Sequence, residues 1–385
     1  MPWNETDPMD QRCKFVVAYS SGQFEMAELC KLFGVSRPTG YKWVRRYRAE
    51  GAIGLKERSR AAHRCPHRMS EAVAQWMIGD RKAHPQWGPR KILKRYKDSH
   101  PHQRAASRSA IAALFRREGL SKPRRRRRRS RGGQDRVGRV LQPNQVWTID
   151  FKGQFRTTDH RWCYPLTVMD GATRYLLEVH AHSRISSLDV QRRMRWLFEQ
   201  YGLPEAIHSD NGVPFASSGF TGLSRLSVYW LKLGIRLQRS RPGCPQDNAA
   251  HERMHRTLKA HTTRPPGCNL RAQQHRFDHF RAEYNRERPH ESLSDRTPAE
   301  FYRHSARAYP RHLPEPHYPG HFHVRRVRTD GSIKWLGHLH FTSTALCGEW
   351  VALEEVDEGV CSVWFMNYLL GRLDARSMTF TYVPV

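Results

Sequence analysis

The sequence predicts a multidomain α/β protein, in which a helical N-terminal third precedes a mixed α/β domain and a small C-terminal β-barrel. Three observations support this class. Residues 1–121 contain short helical patterns, residues 143–304 alternate between strand and helix patterns, and short strands punctuated by glycine follow residue 322. A chain of 385 residues also has room for two or three domains of about 100–200 residues each.

The charge of the chain indicates a polyanionic partner. The formal net charge is +30 and the pI is near 10.4, which favours nucleic acid first and an anionic membrane second. No run of 18 apolar residues is present, so a transmembrane helix is not expected. The eight cysteines are scattered without a Cys-x-x-Cys pair, which argues against a zinc knuckle or a dithiol redox site.

The first 58 residues have the pattern of a helix-turn-helix. Three short helices are predicted over Asp10–Ser20, Met26–Phe33 and Ser36–Arg48, with a tight turn at Gly34-Val35. The last helix turns basic side chains outward, as a helix that enters the major groove would. The predicted DNA contacts are Arg37, Lys42, Arg45 and Arg46. A plain three-helix bundle with a basic surface is the alternative.

Residues 59–121 predict a second unit of the same kind. Ser70 can cap a helix that runs to about Ala83, the segment His84–Pro89 interrupts it, and two more helices follow up to Gly119. Arg90 and Lys91, which begin the middle helix, are predicted to contact DNA. Two such units in tandem would bind a longer stretch of DNA than one.

Residues 122–142 are predicted to be an extended basic linker. Eight of the ten residues from Lys122 to Arg131 are cationic, and like charges keep such a segment extended. We interpret the segment as an arm that binds phosphates, which would place Arg124, Arg125 and Arg126 against DNA.

Three acidic residues of the central domain, residues 143–304, lie where they could collect metal ions. Asp150 belongs to a predicted strand over Val146–Lys152, and Asp210 follows a second strand, directly before an Asn-Gly turn. Glu252 lies on a helix that begins after a Pro- and Gly-rich loop, on a face shared with His255, Arg256 and Lys259. Carboxylate oxygens are the ligands that Mg²⁺ prefers.

Each of these assignments has a simpler alternative. Glu252 and Arg256 could form an (i, i+4) ion pair on a solvated helix, and Arg256 and Lys259 could either pair within the helix or contact DNA phosphates. Asp170 lies in an Asp-Gly turn and is expected to be structural. Asp247 lies at the start of the helix and is expected to cap it.

The C-terminal region is predicted to contain a proline-rich linker, residues 305–322, and a small barrel, residues 323–385. Four prolines lie between Tyr309 and Pro319. Six short strands between Val324 and Leu373 alternate with glycine-marked turns, and such close spacing favours a small β-barrel.

Several motifs together resemble the DDE transposases of bacterial insertion sequences, which are relatives of retroviral integrases. The matching stretches are Trp147–Asp150, Ser209–Ala216, Asp247–Glu252 with Leu258-Lys259, and Tyr284–Leu293 with Thr297-Pro298. The resemblance covers most of the chain. It implies that Asp150, Asp210 and Glu252 are the catalytic, metal-binding triad, and that the central domain has a ribonuclease-H-like fold.

The resemblance also implies an activity. Such an enzyme uses two Mg²⁺ ions, which Mn²⁺ can replace, to cleave DNA at the ends of the element and to join them to target DNA. The expected partners are double-stranded DNA and further copies of the chain, at least a dimer, with neither a membrane nor a small-molecule substrate. The expected location is the bacterial cytoplasm, at the nucleoid.

Two other function classes remain open from the sequence. The chain could be a repressor-like DNA-binding protein whose ribonuclease-H-like domain is inert, although the presence of all three acids favours the enzyme. A cellular ribonuclease H is less favoured, because that chemistry needs neither tandem DNA-binding units nor a C-terminal barrel.

Overall fold

The computed structural model describes residues 7–58, 69–121, 140–217, 219–241, 245–377 and 379–383, and for Pro245 and Gln246 the backbone alone. It contains two compact units, residues 1–68 and residues 69–385. The basic linker predicted over residues 122–142 falls almost entirely outside the described residues. No helix among the described residues is long and apolar enough to span a membrane.

The first unit contains three helices and a short 3-10 turn. Helices α1 (Pro8–Ser20), α2 (Met26–Leu32) and α3 (Arg37–Glu50) confirm the predicted helix-turn-helix, with Gly34 in the left-handed region between α2 and α3. Gly40 lets α3 approach closely, because a Cβ there would lie 2.8 Å from both Met26 and Phe15. Trp43 packs in the core, whereas Tyr41 is exposed.

Three further helices begin the second unit, as predicted. They are α4 (Glu71–Ala83), α5 (Pro89–Ser99) and α6 (Arg108–Arg117). Ser70 caps α4 by accepting a hydrogen bond from the N–H of Val73 at 3.4 Å. Their small core is centred on the fully buried Trp87 and includes Met77, Ile92, Tyr96, Ile111, Leu114 and Phe115.

A mixed sheet of six strands forms the centre of the second unit. The strands are β1 (Val146–Phe151), β2 (Phe155–Arg156), β3 (Trp162–Asp170), β4 (Leu176–His182), β5 (Ala206–Ser209) and β6 (Arg236–Arg239). Strand β1 pairs antiparallel with β3 and parallel with β5, and β5 pairs parallel with β6. The strand that carries Asp150 and the strand that precedes Asp210 are therefore neighbours.

Helices cover both faces of this sheet. They are α7 (Ser187–Tyr201), α8 (Arg225–Lys232), α9 (Ala249–Thr262), α10 (Leu270–Arg286) and the short α11 (Pro298–Phe301). Helices α7 and α8 pack on one face around Trp147, Phe198 and Trp230. Helices α9 and α10 pack on the other face, where Met254 and Phe277 meet residues of β3 and β4.

The C-terminal strands do not confirm the predicted closed barrel. Strands β7 (His323–Arg326), β10 (Trp350–Asp357), β11 (Val360–Phe365), β12 (Tyr368–Asp374) and β13 (Thr379–Tyr382) form an open sheet, and β8 (Ser332–Trp335) pairs only with β9 (His338–Phe341). Helix α8 explains why closure is not needed. Its Val228 and Leu231 contribute to the same core as Leu353 and Val363, so the sheet buries its apolar face against the central domain.

Candidate functional site

Two of the predicted catalytic acids lie side by side at the centre of the sheet. Asp150 is the fifth residue of β1, and Asp210 directly follows β5. These strands run parallel with Thr148 opposite His208, and continuing that register by two residues places Asp150 beside Asp210. Adjacent strands lie about 4.8 Å apart, so the backbones that carry the two carboxylates are close.

The third acid, Glu252, lies on α9, the helix that packs beside Asp150. Glu252 lies in the first turn of α9, and its side chain is exposed. One turn further on, His255 Nδ1 lies 3.6 Å from Asp150 Oδ2. Helix α9 therefore packs on the sheet directly beside Asp150, and Glu252 lies on the side of the helix that faces solvent.

The charges of Asp210 and Glu252 act on Asp150. The pKa of Asp150 is raised to about 7, mainly because the carboxylate is buried, and the negative charges of Asp210 and Glu252 raise it further. Within the described residues, no three His, Cys, Asp or Glu side chains already stand together as a metal-binding group. The chemistry of the three side chains nevertheless suits Mg²⁺, because carboxylate oxygens are hard donors.

A buried network of histidine and threonine side chains fixes α9 to the sheet. His251 Nδ1 lies 2.6 Å from Thr148 Oγ1, and its Nε2 lies 2.6 Å from Thr167 Oγ1. His255 Nε2 lies 2.7 Å from the same Thr167 hydroxyl. Burial lowers the pKa of both histidines, so both are neutral. The Thr148 hydroxyl can donate to the carbonyl of Met169 and accept from His251 Nδ1–H. The Thr167 hydroxyl can then donate to His251 Nε2 and accept from His255 Nε2–H.

The position of His255 corrects the sequence prediction. His255 was placed with Glu252 on the outer face of the helix, but it is buried and lies on the packing face with Met254 and Leu258. The sequence prediction located the packing face from the apolar residues alone, and this places its centre about one residue closer to the N-terminus than the structure does. His251, which is fully buried, was missed for the same reason. The sequence did offer a signal, because His251 and His255 are spaced (i, i+4) around Glu252.

The two rival acids have partners of their own. Asp170 is fully buried and accepts hydrogen bonds from the N–H of Asn144 at 2.7 Å and from the N–H and hydroxyl of Thr173 at 2.8 and 2.7 Å, in keeping with a structural role. Asp247 does not cap α9. It accepts two hydrogen bonds from the guanidinium of Arg241, at 3.0 and 2.7 Å, because the helix starts only at Ala249.

An arginine that the sequence analysis did not single out supports Asp210. Arg239, in β6, donates from Nη1 to the hydroxyl of Ser209 at 2.5 Å and to the carbonyl of Asp210 at 3.3 Å. Its Nη2 donates to the carbonyl of Phe215 at 2.6 Å and to the hydroxyl of Ser227 at 2.8 Å. Arg239 therefore ties together both ends of the turn that carries Asp210.

The predicted DNA-contacting residues have different surroundings. In the first unit Arg37 and Arg45 are exposed, whereas Lys42 and Arg46 lie over the ring of Trp43 at 4.5 and 5.1 Å. On α9, the side chains of Arg256 and Lys259 are exposed. Arg124, Arg125 and Arg126 lie outside the described residues.

Arg90 and Lys91 face the central domain. Arg90 pairs with Asp295 at 2.9 Å and with Glu291 at 2.5 Å, and Lys91 is half-buried. This docking was not predicted. It also includes a hydrogen bond from Trp87 Nε1 to Glu283 Oε1 at 3.0 Å and an ion pair of 3.0 Å between Arg95 and Glu287. The second helix-turn-helix thus packs through α5 against the end of α10.

Four protein families match parts of the chain. Two integrase core domain families match residues 141–245 and residues 233–298. A homeodomain-like domain family matches residues 39–115, and a helix-turn-helix domain family matches residues 11–63. The integrase matches therefore include Asp150, Asp210 and Glu252, and the other two cover much of the N-terminal third.

The chain is similar to proteins of two bacterial insertion elements. It is 28% identical over 201 residues to the insertion element IS407 uncharacterized 31.7 kDa protein of Burkholderia multivorans, covering 51% of this chain and 69% of that protein. It is 25% identical over 239 residues to the insertion element IS476 uncharacterized 39.2 kDa protein of Xanthomonas euvesicatoria, covering 61% and 66% respectively. The match to the Gag-Pol polyprotein of Rous sarcoma virus (strain Prague) is 32% identical but covers only 7% of that polyprotein.

The matches among solved structures include a retroviral intasome and a retroviral integrase domain. The intasome of simian T-cell lymphotropic virus, in complex with a PP2A regulatory subunit, gives a TM-score of 0.38 at 15% identity and covers 77% of this chain and 97% of that chain. The HTLV-2 integrase catalytic core domain, in complex with magnesium, gives a TM-score of 0.34 at 15% identity and covers 42% and 99%.

Proposed function

The chain is a DDE-type insertion-sequence transposase of the retroviral-integrase superfamily, and from that premise we propose that it binds the ends of its element and catalyses their Mg²⁺-dependent cleavage and strand transfer. One observation carries the proposal. The integrase core matches contain all three acids, and the half-buried Asp150 has a pKa raised to about 7 by burial and by the charges of Asp210 and Glu252. Carboxylates whose negative charges lie close together favour the binding of cations, and strongly perturbed pKa values are common at functional sites.

Asp150, Asp210 and Glu252 are the residues proposed to hold two Mg²⁺ ions. Two bound ions would stabilise the charge on the attacking and leaving oxygens of an in-line displacement. In the first reaction a water molecule breaks a phosphodiester bond and leaves a 3′-hydroxyl at the end of the element. In the second reaction that hydroxyl attacks a phosphodiester bond of target DNA. A new phosphodiester bond joins the element to the target, the 3′-hydroxyl of the cut target strand leaves, and this second step therefore conserves the number of phosphodiester bonds.

Residues around the acids would position both the site and the DNA. His251 and His255 hold α9 against β1 through Thr148 and Thr167, which sets the distance at which Glu252 approaches Asp150. The exposed Arg256 and Lys259 follow Glu252 on α9 and are proposed to contact phosphates close to the scissile bond.

The proposed partners follow from the two kinds of DNA site. The helix-turn-helix units would bind the ends of the element, and the central domain would act on both end and target DNA. Because two ends must be processed together, at least two copies of the chain are proposed to assemble on DNA. The proposed location is the nucleoid of a bacterial cytoplasm.

A nicking assay tests the proposal. The substrate is a duplex made from the DNA that flanks the coding sequence, incubated with the full-length chain and Mg²⁺. We expect nicking at one position, and we expect Asp150→Asn, Asp210→Asn and Glu252→Gln each to abolish it while duplex binding persists. Glu199→Gln is the matched control, because Glu199 is an acid on α7 that pairs only with Arg195 among the described residues.

The outcomes separate the candidate functions. Nicking by the triple variant at the wild-type rate would remove the three acids from the proposed site. Binding of the duplex by the wild-type chain without nicking in Mg²⁺ or Mn²⁺ would instead support a repressor-like protein with an inert central domain.

A further inference from the structure

A cluster of cationic side chains lies where the second helix-turn-helix meets the central domain. Lys91 comes from α5, Arg253 from α9, and Arg288 from the segment that follows α10. Arg288 Nη2 lies 3.4 Å from the hydroxyl of Thr257, one turn after Arg253 on α9. Lys91 follows Arg90, whose guanidinium pairs with Asp295 in the same segment after α10. Burial lowers the pKa of Lys91, and the charges of Arg288 and Arg253 lower it further. We call Lys91, Arg253 and Arg288 the cation cluster.

The acids near the cation cluster already have other partners. Asp295 and Glu283 are the two acids that favour the charged form of Lys91. Asp295 accepts a hydrogen bond from Arg90 at 2.9 Å, and Glu283 accepts one from Trp87 at 3.0 Å. The cation cluster therefore carries more positive charge than these acids neutralise.

Two groups of the cation cluster lack their own partners. Arg288 Nη1 is buried and has no hydrogen-bond partner within the described part of the chain, while its Nη2 reaches the hydroxyl of Thr257 only at 3.4 Å. Burial lowers the pKa of Lys91 to about 7, and no hydrogen bond or ion pair of its ammonium group is found among the described residues. A buried charge without a partner is costly, so an arrangement of this kind suits an external anion.

We propose that the cation cluster binds one phosphate group of the backbone of double-stranded DNA. This inference rests on the proposed function, since it names a contact that the transposase would make with its own substrate. A guanidinium and an ammonium group are the usual protein partners of a phosphate, the first as a planar donor pair and the second as a point charge.

The position of the cation cluster favours DNA over a free anion. Helix α5 is the first helix of the α5–α6 pair, and in a helix-turn-helix the first helix crosses the DNA backbone while the second enters the groove. Arg108, Arg116 and Arg117 of α6 are exposed. Arg253 follows Glu252 directly on α9, so one phosphate would contact both the DNA-binding unit and the catalytic helix.

Lys91→Met separates phosphate binding from a structural role. The full-length chain is titrated with a 30-bp duplex of arbitrary sequence between 50 and 200 mM KCl, because a phosphate contact does not depend on sequence. The loss of one contact should reduce the salt dependence, the slope of log K against log salt, by about 0.9, and weaken binding about tenfold at 100 mM. The thermal midpoint of the free protein should stay the same or rise, since a poorly compensated charge is removed.

The matched control is Lys94→Met, in the same helix. Lys94 is paired with Asp98, and its replacement should leave the salt dependence unchanged. A second variant, Lys91→Glu, places a carboxylate beside Arg288. We expect it to raise the thermal midpoint and to weaken duplex binding more than Lys91→Met does, because it occupies the site with an internal anion.

Three results would overturn the inference. One is a salt dependence for Lys91→Met equal to that of Lys94→Met, and another is a lowered thermal midpoint for Lys91→Met with unchanged duplex affinity. The third is stabilisation of the wild-type chain by inorganic phosphate, relative to chloride of equal ionic strength, while Lys91→Met still binds the duplex normally. If the wild-type chain does not nick DNA but Lys91→Met weakens binding, the proposed chemistry fails and the phosphate site stands.

Discussion

Replacing Thr167 with valine is expected to loosen α9 from the sheet. The Thr167 hydroxyl is fully buried and is the shared partner of His251 Nε2 and His255 Nε2, at 2.6 and 2.7 Å. Valine has nearly the same shape but cannot form a hydrogen bond. The change therefore leaves two buried imidazole nitrogens without a partner and creates no cavity.

The magnitude follows from these two contacts. Each unsatisfied buried nitrogen costs about 1–3 kcal/mol, and the added methyl group returns about 0.8 kcal/mol through apolar burial. The free energy of unfolding should therefore fall by about 1–5 kcal/mol, with a central value near 3 kcal/mol. Because α9 carries Glu252, nicking should also slow, and duplex binding should change little.

Urea denaturation followed by tryptophan fluorescence measures the change, with Thr262→Val as the control. Thr262 is also buried on α9, but its hydroxyl donates only to the carbonyl of Leu258 in the preceding turn, at 2.8 Å, so its loss should cost less than about 1 kcal/mol. If the two variants differ by less than about 0.5 kcal/mol, the network does not hold α9 to the sheet.

Three further predictions concern other parts of the second unit. Arg239→Met should slow nicking about 100-fold, because it releases the turn that carries Asp210. Arg236→Met, on the same strand, should leave the nicking rate unchanged. Equal nicking rates for the two variants would refute the supporting role of Arg239. Trp87→Phe should expose α5 to faster hydrogen exchange, because it removes the hydrogen bond to Glu283 at a cost of about 1–3 kcal/mol, and unchanged exchange would contradict this. The pKa of Lys91 is about 7 in the folded protein, below its value in the unfolded chain. Between pH 7 and about 10.4 the unfolded chain therefore binds more protons at Lys91 than the folded chain does. The free energy of unfolding consequently rises with pH across this range. Lys91→Met should consequently stabilise the protein more at pH 6.5 than at pH 9.5, and thermal midpoints at the two pH values measure this difference. The charged groups that face Lys91 keep the same protonation state over this range; they are Arg253, Arg288, Asp295 and Glu283.

The sequence predicted the local elements well because local signals determine them. Ser70 and the serine before α6 mark helix starts, and both cap their helices. Apolar alternation and glycine turns located five of the six strands of the central domain, and six of the seven C-terminal strands were found. Strands β2 (Phe155–Arg156) and β13 (Thr379–Tyr382) were missed, and both are short.

The same signals could not predict which surfaces pack together. The closed barrel was expected from turn spacing alone, but the partner of the C-terminal sheet is α8, more than 90 residues earlier in the chain. Arg90 was assigned to DNA. The acids with which it pairs, Glu291 and Asp295, are about 200 residues away, and no local pattern indicates such a pairing.

By itself the sequence determined the elements that carry the candidate acids, because residue periodicity, turn chemistry and motif spacing are properties of neighbouring residues. Only the tertiary structure decided the order of the strands in the central sheet. It also decided that His255 faces inward, that Arg239 supports the turn at Asp210, and that Lys91 lies half-buried near other cations. Burial and charge pairing depend on groups distant in sequence, which meet only when the elements pack.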